Sequence, residues 1–465
     1  MREALFRAAQ RGSWAGSDEE LVGGRQSEAL TRRVWGRSWR PVPGPVRRRC
    51  PVPGGVVVWP YPRGSSATVD RANCADLFVR SRPGCRVMTE ETFRDDKLDG
   101  AADGDRVVLF CPWDVLVPRM RCRDGGRLLV DDRPVAAVAG EAMAGVLARA
   151  GVLGCGARRG ARALRVPGID GGDTRFVNGT GIVLVKAAQP VLFEGARADL
   201  AELGAAPTPF RVAWDRGEVL AAADAFFGRG DGVVLRPAVS SHGAGVMFAG
   251  PDGPGGGRPA VEAALEAMRA AVPAQADPFP VTVSTFVESR KVDGRVCDVR
   301  MFVVGGPAAP PDTPDPCAPT AGAGGRGGWG LRSLPGPVRP AAAPFADRDR
   351  LDAATCLTCA GPGEGRMALT DPGVRGELGL DEAAVERLGR AATLLWARAL
   401  AEQRALTGAR PPFAYGSVDF LIDVDGRAVP VAMNGAGAGG HAGVHPLFGD
   451  AFAHGMSAAL RTVGL

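Results

Sequence analysis

Between Ala414 and Asn434 the chain reads AYGSVDFLIDVDGRAVPVAMN, two apolar-rich runs around an Asp425-Gly426 pair that signals a hairpin. The runs are Ser417–Asp423 and Ala428–Asn434. Pairing Asp423 with Ala428 across a Val424–Arg427 turn sets Leu421 against Pro430 and Asp419 against Ala432. Side chains alternate along a strand, so Asp419, Ala432 and Asn434 would share one face. A carboxylate and an amide oxygen placed this way are suited to hold Mg²⁺ against phosphate groups. Such a site calls for a second carboxylate at the opposing position, where Ala432 stands.

Three further segments carry charge or glycine in patterns that suit a phosphate. VVLRPAVSSHGAGV (233–246) puts a cation, Arg236, at a strand end and a loop just beyond it. In that loop Gly243 and Gly245 let the backbone approach an anion, and Ser240 and Ser241 add hydroxyls to the loop amides. A surface turn of the same composition is the plainer reading. Lys186 follows the β-branched run Ile182–Val185, where it is either a phosphate-binding cation or an ordinary strand-end lysine. Asp298-Val-Arg300 sends two side chains from one strand face. Arg300 could stabilise charge on a transferring phosphoryl group, or the two residues could form a structural ion pair.

The elements needed to position these groups follow an α/β pattern. Residues 1–54 are rich in Arg, Pro and Gly and read as a disordered arm. Strands at Val56–Trp59 and Val107–Cys111 and a helix over Glu141–Leu153 suggest an open-sheet domain over residues 55–175. From residue 176 the chain offers helices near Gly195–Leu203, Glu218–Phe227 and Pro259–Val272. Strands are expected near Phe210–Trp214, Gly232–Leu235, Val281–Val287 and Val296–Val304. Gly305–Gly379 is Pro/Gly-rich and reads as a long irregular insertion. Asp381–Gln403 is an amphipathic helix, with Val385, Leu388, Ala392, Leu395 and Ala399 on one stripe and Asp381 able to cap it. A last helix is expected around Ala451–Val463.

The order of strand and glycine loop (Val233–Val246), strand with Asp-x-Arg (Phe286–Gly306) and carboxylate hairpin (Ser417–Asn434) resembles the ATP-grasp superfamily. With the Lys186 region, the likeness spans about residues 178–465. It implies an α/β (α+β) ATP-grasp fold over 176–465, preceded by an N-terminal open α/β domain. It further implies ATP and Mg²⁺ as cofactors, and a carboxylate–amine ligase reminiscent of the peptide ligases of natural-product biosynthesis. By that comparison Lys186, Arg236 and the 240–245 loop hold phosphates, Asp419 and Asn434 hold the metal, and Arg300 acts in catalysis. Thr285 and Val287 lie in the hinge that reads the nucleotide, though the family commonly has an acidic residue at Ser284-Thr285. Lysine is usual at Arg236, glutamate at Ala432, and an arginine soon after Asn434. No Arg occurs between Arg427 and Arg461, so His441 or His445 would have to serve. These departures keep open a second reading, a degenerate member that binds a nucleotide or a partner without chemistry.

Composition narrows the remaining choices. The net charge of +5 belongs to the first 55 residues, whose 11 Arg and 5 acids leave the other 410 at −1. A near-neutral body argues against nucleic acid as partner. No apolar run approaches the length of a membrane span, and MREALFRAAQRGSW lacks the apolar core of a secretory signal, so the cytoplasm is expected. Cys356 and Cys359 form the one close cysteine pair, too few for a zinc site. The expected partners are ATP, a small carboxylic acid and an amine or peptide, with a homodimer left open.

Overall fold

The computed structural model describes seven strands between residues 55 and 177 as backbone alone and then, with interruptions, residues 183–435. The arm at 1–54, the helix expected at Glu141–Leu153, the loop residues Ser240, Ser241 and His242, and His441, His445 and the last helix lie outside the described residues.

In the N-terminal part, β1 (Gly55–Trp59), β2 (Arg86–Thr89), β3 (Arg106–Phe110) and β7 (Arg175–Val177) form a parallel sheet in the order β2-β1-β3-β7. Parallel neighbours need long crossover connections, which is the open-sheet arrangement expected from the sequence. A small antiparallel sheet is made by β4 (Met120–Arg123), β5 (Arg127–Val130) and β6 (Arg133–Pro134).

Of the expected strand at Ile182–Val185 only Val183 lies within the described residues. Val183 lies in a 3₁₀ turn and Lys186 in a turn just before helix α1 (Ala188–Gly195), which leads to α2 (Arg197–Glu202). The Lys-Ala-Ala-Gln stretch favours a helix start over continuation of a short β-branched run.

The second antiparallel sheet has the order β10-β9-β11-β8, from β8 (Phe210–Ala213), β9 (Val233–Pro237), β10 (Met247–Ala249) and β11 (Val281–Thr285). Helices α3 (Arg216–Phe227) and α4 (Gly257–Ala271) close its core against Val233, Leu235, Val281 and Val283. Asp215 caps α3: its Oδ1 accepts from the Glu218 amide at 2.8 Å while Glu218 reaches back to the Trp214 amide at 2.7 Å. Since strand residues alternate, Arg236 points away from these helices, as does Thr282 directly opposite it.

The largest sheet runs β15-β14-β13-β16-β17, with β12 (Lys291–Val292) against β13. Its strands are β13 (Arg295–Pro307), β14 (Trp329–Pro340), β15 (Met367–Ala368), β16 (Tyr415–Ile422) and β17 (Ala428–Asn434). Cys297, Val299, Met301 and Val303 of β13 and Val418, Phe420 and Ile422 of β16 face the core. Helix α7 (Glu382–Thr407) fills that core with Leu388, Ala392, Leu395, Trp396 and Ala399. Asp381 caps α7 as expected, accepting from the Ala384 amide at 2.6 Å.

The reading of Gly305–Gly379 as irregular needs correction. Within it β14, WGLRSLPGPVRP, lies between β13 and β15, and α5 (Ala353–Cys356) and α6 (Pro372–Leu378) follow. Tertiary pairing overrides the composition. Opposite Arg300 the ladder shifts register, and the β14 backbone comes so close at Gly336 that a Cβ there would strike the Arg300 carbonyl. Glycine suits this close approach.

Candidate functional site

The hairpin keeps the face but alters the register. The loop is three residues, Val424–Gly426, with Gly426 at φ +85°, and Asp423 pairs with Arg427 through its amide at 2.9 Å. The ladder therefore runs Ile422 with Ala428, Leu421 with Val429 and Phe420 with Pro430, one position away from the register expected near the turn. A bulge at Val431 restores the expected pairing of Asp419 with Ala432. Pro430 offers no ladder donor and sits on the sheet's edge strand, where a bulge is readily accommodated.

Asp419, Ala432 and Asn434 thus occupy one face, opposite the α7 core. Three strands then deliver charge to that face at matching positions: Arg300 of β13 stands directly across from Asp419, and Asp298 directly across from Arg339 of β14. Arg300 holds both Asp419 oxygens, Nε to Oδ1 at 2.7 Å and Nη2 to Oδ2 at 2.8 Å. Arg339 Nη2 donates to the same Oδ2 at 2.8 Å and also to Asp298, while its Nε reaches Asp298 Oδ1 at 2.7 Å. Thr358 Oγ1 donates to Asp298 Oδ2 at 2.5 Å. The side chains are only 6% (Arg300), 4% (Asp419) and 11% (Arg339) exposed, so this is a buried network. Asp298 and Arg300 leave the same strand face, as expected, but each pairs with a neighbouring strand.

Burial alone would raise the Asp419 carboxyl; Arg300 and Arg339 beside it, and the hydrogen bonds from Arg300, outweigh that and hold it well below the usual carboxylate range.

Cations from two other elements reach β17. Arg236, on the outward face of the smaller sheet, donates to the carbonyl of Val431, the bulge residue itself. Lys186 Nζ lies 3.4 Å from both Asn434 Oδ1 and the Met433 carbonyl. Its turn is fastened by Gln189, a buried residue that the sequence reading overlooked. Gln189 brackets the Met433 backbone, donating to its carbonyl at 2.7 Å and accepting from its amide at 3.0 Å. Above the end of β9, Gly243 and Gly245 adopt φ +75° and +74°, a backbone that L side chains avoid. The hinge candidates lie at the end of β11. Thr285 and Phe286 donate their amides to the Pro209 and Gly232 carbonyls, which leaves base contact there to other groups of the hinge; Val287 is partly exposed beside them.

The structure therefore brings together Lys186, Arg236, Arg300, Asp419 and Asn434, and adds Arg339, Thr358 and Gln189. Arg339 was hidden because its strand reads as a Pro/Gly-rich loop. A Mg²⁺ ion does not fit this donor set. Asn434 turns its Nδ2 to Asp419 Oδ2 at 2.9 Å and its oxygen to Lys186, so the two intended ligands are bonded to each other. Among the described residues no group of three His, Cys, Asp or Glu is placed to hold a metal ion.

No family model matches the chain. No curated protein matches it either. Solved structures similar to it include a D-cycloserine synthetase (15% identity, TM-score 0.43, covering 88% of this chain and 99% of that one). D-alanyl-alanine synthetase A from Vibrio cholerae is similar at 10% identity and TM-score 0.37, covering 88% of this chain and 99% of that chain. D-alanine–D-alanine ligase from Bacillus anthracis, complexed with ATP, is similar at 11% and 0.37, covering 88% and 98%. All three TM-scores lie below 0.5. In the order of its own motifs and in its α+β sheets, the chain resembles the ATP-grasp superfamily.

Proposed function

We propose that this chain is an ATP-dependent ligase that joins a small carboxylic acid or peptide to an amine through an acyl-phosphate. The observation that supports this is the meeting of Lys186 and Arg236, from separate elements, on β17 beside the Arg300–Asp419–Arg339–Asp298 network. Lys186, Arg236, Arg300 and Arg339 bring four cations to that face, a concentration of positive groups suited to a polyphosphate. In this reading Lys186 and Arg236 take phosphate oxygens, with backbone amides of the loop that carries Gly243 and Gly245 as further phosphate donors.

A substrate carboxylate oxygen attacks the γ-phosphorus as the bond to ADP breaks. The amine nitrogen then attacks the acyl carbon, the carbon–oxygen bond to phosphate breaks, and the nitrogen gives its proton to solvent. The protein's share is positioning and charge neutralisation. Arg300 is a positioning residue acting through Asp419, since both of its bonds to that carboxylate are inside the sheet. His441 is the sequence candidate for gripping the acyl-phosphate.

The test is ADP release by the full chain with ATP and a panel of acids and amines. ADP formation that requires both an acid and an amine supports the reading. ATP binding by folded protein without ADP release across the panel favours a nucleotide-binding module without turnover. That outcome would be consistent with Ala432 and with the engagement of Asp419 by protein donors.

A further inference from the structure

We infer that the guanidinium groups of Arg300 and Arg339 do at this site what a divalent cation does at a carboxylate site, so that the chain takes the polyphosphate of a metal-free nucleotide. This rests on the reading that a nucleotide binds beside β17.

Four observations carry it. First, both Asp419 oxygens are engaged: Oδ1 accepts from Arg300, and Oδ2 from Arg300, Arg339 and Asn434. Second, the Asn434 oxygen, the atom a hard cation would want, is turned toward the Lys186 ammonium. Exchanging the amide's ends would set its oxygen against a carboxylate oxygen and its NH₂ against an ammonium, so the network fixes this orientation. Third, Asp298 is committed to Arg339 and Thr358. Fourth, the position across from Asp419 is Ala432, which contributes no charge.

Mg²⁺ dehydrates reluctantly and asks for near-octahedral oxygen ligands. To bind Asp419 it would have to displace donors that cannot be deprotonated and that stay close by, repelling it. The two arginines already neutralise the two carboxylates in a buried, poorly screened setting, where each charge acts strongly on its neighbours. Lys186 and Arg236, held against β17 by the Met433 and Val431 carbonyls and by Asn434, are the cations placed to meet the nucleotide's own negative charge.

Titration calorimetry of the full chain with ATP, in EDTA and in excess Mg²⁺, tests this. Metal-free ATP is expected to bind within about threefold of, or more tightly than, ATP with Mg²⁺. Weakening by about tenfold or more in EDTA overturns this inference and leaves the nucleotide reading standing. No binding of ATP in either condition overturns both. Mn²⁺ alone, followed by electron paramagnetic resonance, is expected not to bind; saturable binding displaced by Mg²⁺ overturns the inference. In Ala432→Glu, an added carboxylate facing Asp419 is expected to weaken metal-free ATP by about tenfold, with recovery on adding Mg²⁺. Unchanged binding in that variant, with its fold intact by circular dichroism, overturns the charge argument.

Discussion

Asp419→Asn is the sharpest probe of the buried network. The substitution keeps the shape of the side chain but removes the charge that Arg300 and Arg339 share. Three of the four hydrogen bonds to Asp419 come from guanidinium groups, at 2.7, 2.8 and 2.8 Å, and the fourth from Asn434 at 2.9 Å. Removing one partner from a buried ion pair typically costs about 3–5 kcal/mol, because the remaining charge loses its compensation without regaining water. Asn retains one acceptor oxygen, and Arg339 retains Asp298, so the lower part of that range, about 3 kcal/mol, is expected. The measurement is urea unfolding at pH 7, followed through the buried Trp396 and by circular dichroism. Arg300→Met and the double variant complete a cycle, with an expected coupling of about 2 kcal/mol. The pH dependence fixes the origin of the effect. The carboxyl is depressed in the folded chain and titrates near its ordinary value of about 3.9 when unfolded. Its contribution is therefore complete above that value and is lost as the pH falls toward the folded one. The gap between wild type and Asp419→Asn should hold steady from neutral pH down to about 5 and narrow below about 4. A loss under about 1 kcal/mol at pH 7, or a gap that widens on acidification, would refute the network as described.

Three more outcomes can be checked separately. Gly416→Ala would drive a methyl group into the fully buried Trp396 ring, and overpacking of this kind should cost about 1–3 kcal/mol by urea unfolding. Thr358→Val removes the hydroxyl that donates to Asp298 Oδ2 while keeping the side-chain shape; a loss of about 1–2 kcal/mol is expected, and no loss means that Thr358 is a bystander. Burial pushes the Cys297 thiol up to about 12. It should therefore resist iodoacetamide at pH 8 in the native protein and react once unfolded, as mass spectrometry of the labelled peptide would show.

Much of the C-terminal architecture was legible because its signals are local. The stripe of Leu388, Ala392, Leu395 and Ala399 marks a helix by its period, and all four are buried in the core. Asp381 announces its cap, and Asp425-Gly426 announces the hairpin. The alternation of side chains placed Asp419 with Ala432 and Asn434, and Asp298 with Arg300. Strand period alone decides which face a residue takes.

Register and partnership needed the folded chain. The bulge at Val431 depends on how β17 fits β16, and it leaves the carbonyl that Arg236 takes from another sheet. Strand β14 was hidden because glycine and proline lower β propensity locally, whereas pairing with β13 holds the segment in the sheet. With that strand came Arg339, and with Arg339 the character of the site changed. Residue types alone suggested a carboxylate and an amide awaiting a metal ion. Tertiary structure set two guanidinium groups on that carboxylate from neighbouring strands, because pairing, and not sequence distance, decides which charges share a buried face.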